Sequence, residues 1–162
     1  METIIHPFSP IYDSHSRVLI LGTMPSPKSR ENRFYYGHPR NRFWPVMAAL
    51  FGREPFQSNE EKTAFLLEHH IALWDVFAAC DIHGADDASI RNAVPNDLSL
   101  IFNQAPIAAV FTNGKKASEA YRRNFGKNKA APHIELPSTS PANCAVKYDA
   151  LLAAYRSILD YL

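Results

Sequence analysis

The chain has 162 residues, the length of one domain, and its 46% share of hydrophobic residues is enough for a sizeable core. Its 17 Lys and Arg nearly balance its 16 Asp and Glu, so net charge alone does not indicate a nucleic-acid-binding protein. The two cysteines lack the spacing of a zinc site or a disulfide framework, no apolar run reaches membrane-spanning length, and the first residues lack a signal-peptide pattern, so we expect a single cytoplasmic domain over residues 1–162.

The first predicted strand is SRVLILG, a short apolar run with β-branched residues that ends at Gly22. Residues 23–42 follow with three prolines and one glycine, and this composition predicts a long loop. Loops of this length are usually functional or disordered, and the aromatic rings of this one argue against disorder. The loop is also locally basic, with one acid, Glu31, among five bases: Lys28, Arg30, Arg33, Arg40 and Arg42.

The remaining chain alternates between helical and strand-like patterns. Helices are predicted at 43–51, at 60–70 with Ser58 or Asn59 as the cap, at 95–105 with Asn96 or Asp97 near the start, at 115–125 and at 145–162; strands are predicted at 71–77, 107–114 and 133–137. This alternation predicts parallel strands joined by right-handed crossovers. We therefore expect a three-layer α/β/α sandwich around a central, mainly parallel four-stranded sheet.

In such folds the ligand site lies beyond the carboxyl ends of the strands. Four segments leave those ends, namely residues 22–42, 75–92, 112–116 and 137–143. The first of them begins with GTMPSPKS, which contains neither G-x-x-x-x-G-K-[ST] nor G-x-G-x-x-G, so the pattern does not favour a nucleoside triphosphate or a dinucleotide.

Several polar and aromatic residues in these segments each allow a structural and a functional interpretation. The rings of Phe34, Tyr35 and Tyr36 suit an apolar plug for the loop, or stacking on a nucleobase. Asn41 precedes a helix and is either its cap or an amide that orients water or a base edge. Asp75, at a strand end, bonds turn amides or accepts a hydrogen bond from a ligand.

The turn PSTSPAN offers hydroxyl groups that either bond their own backbone or clamp a phosphate. The histidines, including His6 and His83, show no paired spacing with acids or cysteines, so we interpret them as surface or core residues and expect no metal site.

Taken together, the motifs resemble the uracil-DNA glycosylase superfamily over nearly the whole chain. LGTMPS is similar to its first active-site motif, YYGHPRNRFWPVM to the aromatic–x–H-P-x-N-R-F-W segment of the mismatch-specific enzymes, VFTNGKKA to the strand and helix between the motifs, and LPSTSPAN to the second active-site motif. The resemblance implies an enzyme that flips a base out of DNA, hydrolyses the N-glycosidic bond and leaves an abasic site.

One departure from the superfamily pattern indicates which subgroup the chain resembles. Relatives carry Asn or Asp immediately before the proline of the first motif, whereas this chain has Met24, whose thioether cannot orient water. The subgroup that acts on deoxyinosine lacks that polar residue and relies on an Asn elsewhere. The chain is therefore most similar to hypoxanthine-DNA glycosylases, with Asn41 as the matching amide.

The resemblance implies a role for each candidate residue. Asn41 and Asp75 are expected to be catalytic, the base is expected to contact Thr23, Met24, Tyr36 and Asp75, and the DNA phosphates are expected to contact Ser26, Ser138, Ser140, Asn143 and Arg40. We expect no cofactor, and a monomer whose partner is double-stranded DNA with a deaminated base, which places the protein at the nucleoid when bound. Mismatch-specific uracil excision, a damaged-DNA-binding module without catalysis, and an unrelated small-molecule α/β enzyme stay open as alternatives.

Overall fold

The structure is a computed structural model that describes residues 1–127 and 131–162. The elements in chain order are β1 (Glu2–Ile5), β2 (Val18–Gly22), α1 (Pro27–Asn32), α2 (Phe43–Leu50), α3 (Asn59–Glu68), β3 (Ile71–Asp75), β4 (Phe77–His83), β5 (Asp86–Pro95), α4 (Ser99–Phe102), β6 (Ala109–Asn113), α5 (Lys115–Phe125), β7 (His133–Leu136) and α6 (Tyr148–Tyr155). Two 3₁₀ turns, Pro141–Asn143 and Arg156–Tyr161, complete the described chain.

The core of the molecule is a four-stranded parallel sheet in the order β3-β2-β6-β7. Every residue of β2, β3 and β6 is buried, as expected for parallel strands covered on both faces by helices. This arrangement confirms the predicted α/β architecture and its four parallel strands.

The strand register decides which side chains meet at the carboxyl edge of this sheet. Gly22 at the end of β2 lies directly beside Asp75 at the end of β3, and Asn113 at the end of β6 lies beside Leu136 of β7. The chain therefore leaves the sheet at one edge four times, which brings the four predicted loop segments together.

A second, antiparallel sheet in the order β1-β4-β5 was not predicted. Its hairpin, β4 and β5, occupies much of the segment 75–92 that we expected to leave the sheet as a connection. The pattern was hard to recognise because β1 and β5 are mostly exposed, so they lack the apolar alternation of a half-buried strand.

One loop prediction and two helix predictions also need correction. The predicted loop 23–42 contains α1, which has Ser26 as its N-cap and Pro27 as its first residue, a combination that favours a helix start. The predicted helix 95–105 shortens to α4, because Pro95 still belongs to β5 and the buried Asn96 side chain donates to the carbonyls of Asp75 and Phe77. Asp97, the alternative residue near the start, accepts the backbone N–H of Ser99 at 3.1 Å. The predicted helix 145–162 begins at Tyr148 and tightens into a 3₁₀ turn after Tyr155.

The predicted cap of α3 is confirmed, and two further observations concern the cysteines and the helices. Ser58 caps α3 by accepting a hydrogen bond from the backbone N–H of Glu61. Both cysteines are free thiols, Cys80 buried and Cys144 exposed. Across residues 1–127 and 131–162, the helices are all too short or too polar to cross a bilayer.

Candidate active site

A cavity of about 240 Å³ lies at the carboxyl edge of the parallel sheet. All four predicted segments contribute to its wall, together with the tip of the β4–β5 hairpin. The structure brings eight of the predicted site residues to this cavity: Thr23, Met24, Ser26, Tyr36, Asn41, Asp75, Ser138 and Ser140. The remaining two, Arg40 and Asn143, lie outside it.

Tyr36 forms one wall of the cavity in a strained backbone conformation. Its φ of 53° is in the left-handed region, which costs a residue with a Cβ about 1–2 kcal/mol. The ring stacks on Phe43 with centroids 4.2 Å apart, and this packing holds the conformation. The hydroxyl is buried and makes no hydrogen bond of ordinary geometry in the described chain. Burial, reinforced by the Asp75 carboxylate, raises the pKa of Tyr36 well above its ordinary value, although the nearby Asn113 amide acts in the opposite direction.

The two preceding rings have the structural role that we weighed for them. Phe34 stacks on Trp44, and Tyr35 is buried with its hydroxyl donating to the carbonyl of Ser9 at 2.8 Å. Phe34 is absent from the cavity wall, whereas Tyr35 and Tyr36 both reach it. The aromatic run therefore packs the loop at its start and faces the cavity at its end.

The amide of Asn41 is oriented by the start of α2. Its Oδ1 accepts a hydrogen bond from the backbone N–H of Phe43 at 2.9 Å, although Arg42 rather than Asn41 occupies the N-cap position of α2. Because that donor fixes which end of the amide is oxygen, Nδ2 is the end left without a partner among the described residues. Asn41 thus combines a helix-start contact with two free N–H donors in a residue that lines the cavity.

Among the described residues, no turn amide bonds the Asp75 carboxylate, and its hydrogen-bond partner is a histidine far away in sequence. Its Oδ2 lies 2.6 Å from Nε2 of His6, and both side chains are only 4–5% exposed. Nδ1 of the same ring accepts the backbone N–H of Phe8 at 3.2 Å, so Nε2 carries the hydrogen and donates it to the carboxylate. His6 was interpreted from sequence only as a surface or core residue, and no local spacing links it to Asp75.

The other oxygen of Asp75 lies over Gly22. A Cβ built on Gly22 would be 2.5 Å from Oδ1 of Asp75 and 2.9 Å from the hydroxyl oxygen of Tyr36, both closer than real Cβ contacts. Glycine is therefore required here by close approach. The carboxylate is held between Gly22 on one side and the ring of His6 on the other.

A second carboxylate, that of Asp87, was missed by the sequence reasoning. It enters the cavity wall from the β4–β5 hairpin and accepts a hydrogen bond from the hydroxyl of Thr23 at 3.0 Å. Burial, together with the charge of Asp75, raises the pKa of Asp87, although the Thr23 bond acts in the opposite direction. The sequence DIHGADDAS contains several acids, but no local pattern indicates which of them reaches the site. Asp87 does so only because β4 and β5 form a hairpin, which was not predicted.

The charge of the cavity favours a neutral ligand with N–H donors. Asp75 and Asp87 both line it, whereas none of the described lining residues is Lys or Arg. A phosphate inside it would be repelled by two carboxylates, so phosphate groups would have to remain at the rim.

The loop after β7, residues 137–147, forms part of the cavity rim and is called the rim loop. Hydrogen bonds with Asn113 at the end of β6 hold it in place. Asn113 donates from Nδ2 to the hydroxyl of the buried Thr139 at 2.9 Å and accepts the Thr139 backbone N–H at 3.0 Å. In the loop itself, the hydroxyl oxygens of Ser138 and Ser140 accept backbone N–H groups. Neither hydroxyl donates to another group in the described chain, so both O–H groups are available to an acceptor.

The chain matches a known protein family over nearly its whole length. The sequence model of the "Uracil DNA glycosylase superfamily" matches residues 9–160. The chain belongs to this superfamily. It is 34% identical over 140 residues to a hypoxanthine DNA glycosylase from Methanosarcina acetivorans, covering 84% of this chain and 86% of that protein. It is also 35% identical over 114 residues to a hypoxanthine DNA glycosylase from Methanosarcina barkeri, covering 69% of this chain and 72% of that protein.

The fold comparison agrees with the sequence comparison. The solution NMR structure of a Methanosarcina acetivorans protein, provisionally described as a uracil DNA glycosylase, superimposes with a TM-score of 0.79 at 30% identity, covering 98% of this chain and 99% of that one. Superfamily membership supports a DNA glycosylase, with DNA as the substrate.

The basic residues of this superfamily member divide into internal and exposed groups. Arg42 is internal, because its guanidinium donates to the carbonyls of Val146 at 2.6 Å and Asn143 at 3.0 Å. Arg40 is exposed, and its guanidinium has no hydrogen bond or ion pair in the described residues. Lys115 lies in a groove of about 590 Å³ beside the cavity, which Asn143 also lines.

Two of the predicted phosphate-binding residues, Ser26 and Asn143, use their side chains in internal hydrogen bonds. Ser26 bonds the backbone N–H and the hydroxyl of Ser29, which uses its hydrogen-bonding capacity at the start of α1. The Nδ2 group of Asn143 donates to the carbonyl of Ser138 at 2.9 Å and closes the rim loop. By contrast, the O–H groups of Ser138 and Ser140 and the guanidinium of Arg40 donate to no group in the described residues.

Proposed function

We propose that this glycosylase removes hypoxanthine from deoxyinosine in DNA and leaves an abasic site. The observation that carries the proposal is a single cavity that combines the ring of Tyr36, the carboxylate of Asp75 and the free amide N–H groups of Asn41. The similarity to proteins named hypoxanthine DNA glycosylase supports the choice of base.

The base would have to leave the duplex before it reaches this cavity, at a cost of a few kcal/mol that is smallest for a mispaired base. Ser138, Ser140 and Arg40 would contact phosphates beside the lesion, outside the acidic interior. The flipped base would stack against Tyr36, an interaction of about 1–3 kcal/mol.

Asp75 would then recognise the edge of the base. Its carboxylate accepts the N1–H of hypoxanthine but faces the N1 lone pair of adenine, and an unmatched buried acceptor costs about 1–3 kcal/mol. This difference supplies a physical reason for sparing the normal purine from which hypoxanthine arises.

Cleavage would pass through an oxocarbenium-like sugar, as in other glycoside hydrolysis. The C1′–N9 bond breaks with its electron pair moving to the base, water adds to C1′, and one water proton is transferred through solvent to the released base. The Nδ2 donors of Asn41 would hold the water or the departing base. Met24 is apolar and Asn41 is not basic, so the step relies on positioning and electrostatics rather than on a strong general base.

The decisive experiment compares duplexes with one inosine or one uracil and detects abasic sites by alkaline nicking. We expect faster release from inosine, and Asn41→Ala should abolish release while folding and duplex binding persist. Asn103→Ala, at an exposed asparagine at the end of α4, is the matched control and should behave like the wild type.

Uracil excision is the second candidate, because uracil also presents a single N–H donor, at N3, and the structural neighbour carries a uracil-related description. Faster release from uracil would establish it. Binding to the inosine duplex without release of either base would instead indicate a damaged-DNA-binding module.

A further inference from the structure

We propose that His6 is a positioning residue that protects guanine from excision by occupying one oxygen of the Asp75 carboxylate. This inference rests on the proposed function, in which Asp75 recognises the base edge. His6 would act through Asp75 and would not touch the base, since it is absent from the cavity wall.

The need for such a device follows from the chemistry of the bases. Hypoxanthine and guanine share O6, N1–H and N7, and guanine differs by an amino group that adds a second donor beside N1–H. A carboxylate with two free oxygens would accept both donors of guanine side by side, and charge-assisted bidentate pairs are among the strongest hydrogen-bond arrangements. An unrestrained aspartate would therefore prefer the normal base.

The structure restrains this aspartate on both sides. Oδ2 accepts the Nε2–H of His6 at 2.6 Å, and the ring is fixed in that tautomer by the Phe8 backbone N–H. Oδ1 alone lies on the side of Gly22 and Tyr36, which line the cavity. Of the two Asp75 oxygens, the base therefore meets only Oδ1, which matches the single donor of hypoxanthine and leaves this carboxylate no second acceptor for the amino group of guanine.

The packing around His6 shows that this orientation is held firmly. The imidazole lies 5.8 Å from the ring of Phe8 and 5.9 Å from that of Tyr35, measured between centroids. Its side chain is 4% exposed, so water cannot easily replace it as the partner of Oδ2. Removing the imidazole would free Oδ2 and allow the carboxylate to rotate about its Cβ–Cγ bond and present both oxygens.

The test measures the ratio of guanine to hypoxanthine recognition in His6→Leu, His6→Asn and His6→Gln. The Gln amide places an N–H near the position of Nε2, whereas the Asn amide mimics Nδ1 and does not reach Asp75. We expect the ratio to rise at least about tenfold in the Leu and Asn variants, the effect of one charge-assisted hydrogen bond, and to return toward the wild-type value in the Gln variant. His83→Ala, at an exposed histidine on β4, is the control.

Two measurements keep the outcomes separate. The first is single-turnover release from duplexes with a single I·T or G·T pair, and the second is binding of free 9-methylhypoxanthine and 9-methylguanine. Each ratio compares two ligands on one sample, so a loss of folded protein cancels. If the wild type releases hypoxanthine but the guanine-to-hypoxanthine ratio is unchanged in all variants, the inference about His6 is refuted and the proposed function is not.

If the wild type releases no base, the proposed function fails. The inference about His6 then stands only if the binding ratio of the two methylated bases still shifts as described. If, in addition, the wild type binds neither methylated base, both the proposed function and the inference about His6 are overturned.

Discussion

Replacing Gly22 by alanine tests whether the Asp75 carboxylate works from the position that the structure gives it. The added Cβ would lie 2.5 Å from Oδ1 of Asp75, so this oxygen must move by about 0.9 Å to reach the 3.4 Å of an ordinary contact. It cannot move toward His6, because Oδ2 is already 2.6 Å from Nε2. The Tyr36 hydroxyl, 2.9 Å from the added carbon, blocks a second direction.

The expected consequence is loss of the hydrogen bond from Asp75 to the base. Such a bond to a charged group contributes about 1–3 kcal/mol, so single-turnover release of hypoxanthine should be about 5- to 150-fold slower in Gly22→Ala. Overpacking should also lower the free energy of unfolding by about 1–3 kcal/mol. Affinity for an undamaged duplex should change little, because the proposed phosphate contacts of Ser138, Ser140 and Arg40 lie at the rim of the cavity or outside it, and Gly22 is not one of them.

Gly52→Ala provides the matched control. Gly52 has a φ of 61°, and no atom lies within 4 Å of the Cβ that the substitution would add. This variant should lose about 1–2 kcal/mol of stability through backbone strain and keep the wild-type rate of base release. Urea unfolding and the nicking assay on both variants separate the two effects. A Gly22→Ala rate within about twofold of wild type would show that the carboxylate is not used where the structure places it.

Other consequences concern charge. Arg40→Ala should weaken binding to every duplex and reduce the slope of log affinity against log salt concentration by about 1, whereas Arg42→Ala should lower the urea midpoint because it breaks two hydrogen bonds to the rim loop. Equal salt slopes for wild type and Arg40→Ala would remove Arg40 from the interface. Because the pKa of Asp87 is raised, its ionisation costs stability above the ordinary value of 3.8, so Asp87→Asn should match the wild type at about pH 3 and become the more stable protein as pH rises to about 7. Thermal melts across that range that show a constant difference would contradict this assignment.

The sequence by itself determined the sheet and the edge at which the site lies. The sequence patterns predict buried strands at 16–22 and 107–114, which the structure has at Val18–Gly22 and Ala109–Asn113. These strands alternate with helices, and right-handed crossovers make them parallel, so their carboxyl ends lie at one edge of the sheet. That logic was sufficient to place Tyr36, Asn41 and Asp75 around one cavity.

Tertiary structure decided which distant side chains contact the residues of the site. Asp75 meets His6 across 69 residues, and Thr23 meets Asp87 across 64, by way of an antiparallel sheet whose exposed strands carry no apolar period. Local periodicity reports which face of an element is buried, but it contains no information about which distant side chain fills the space beside a carboxylate. The pairing that limits Asp75 to one free oxygen exists only once the two sheets have packed.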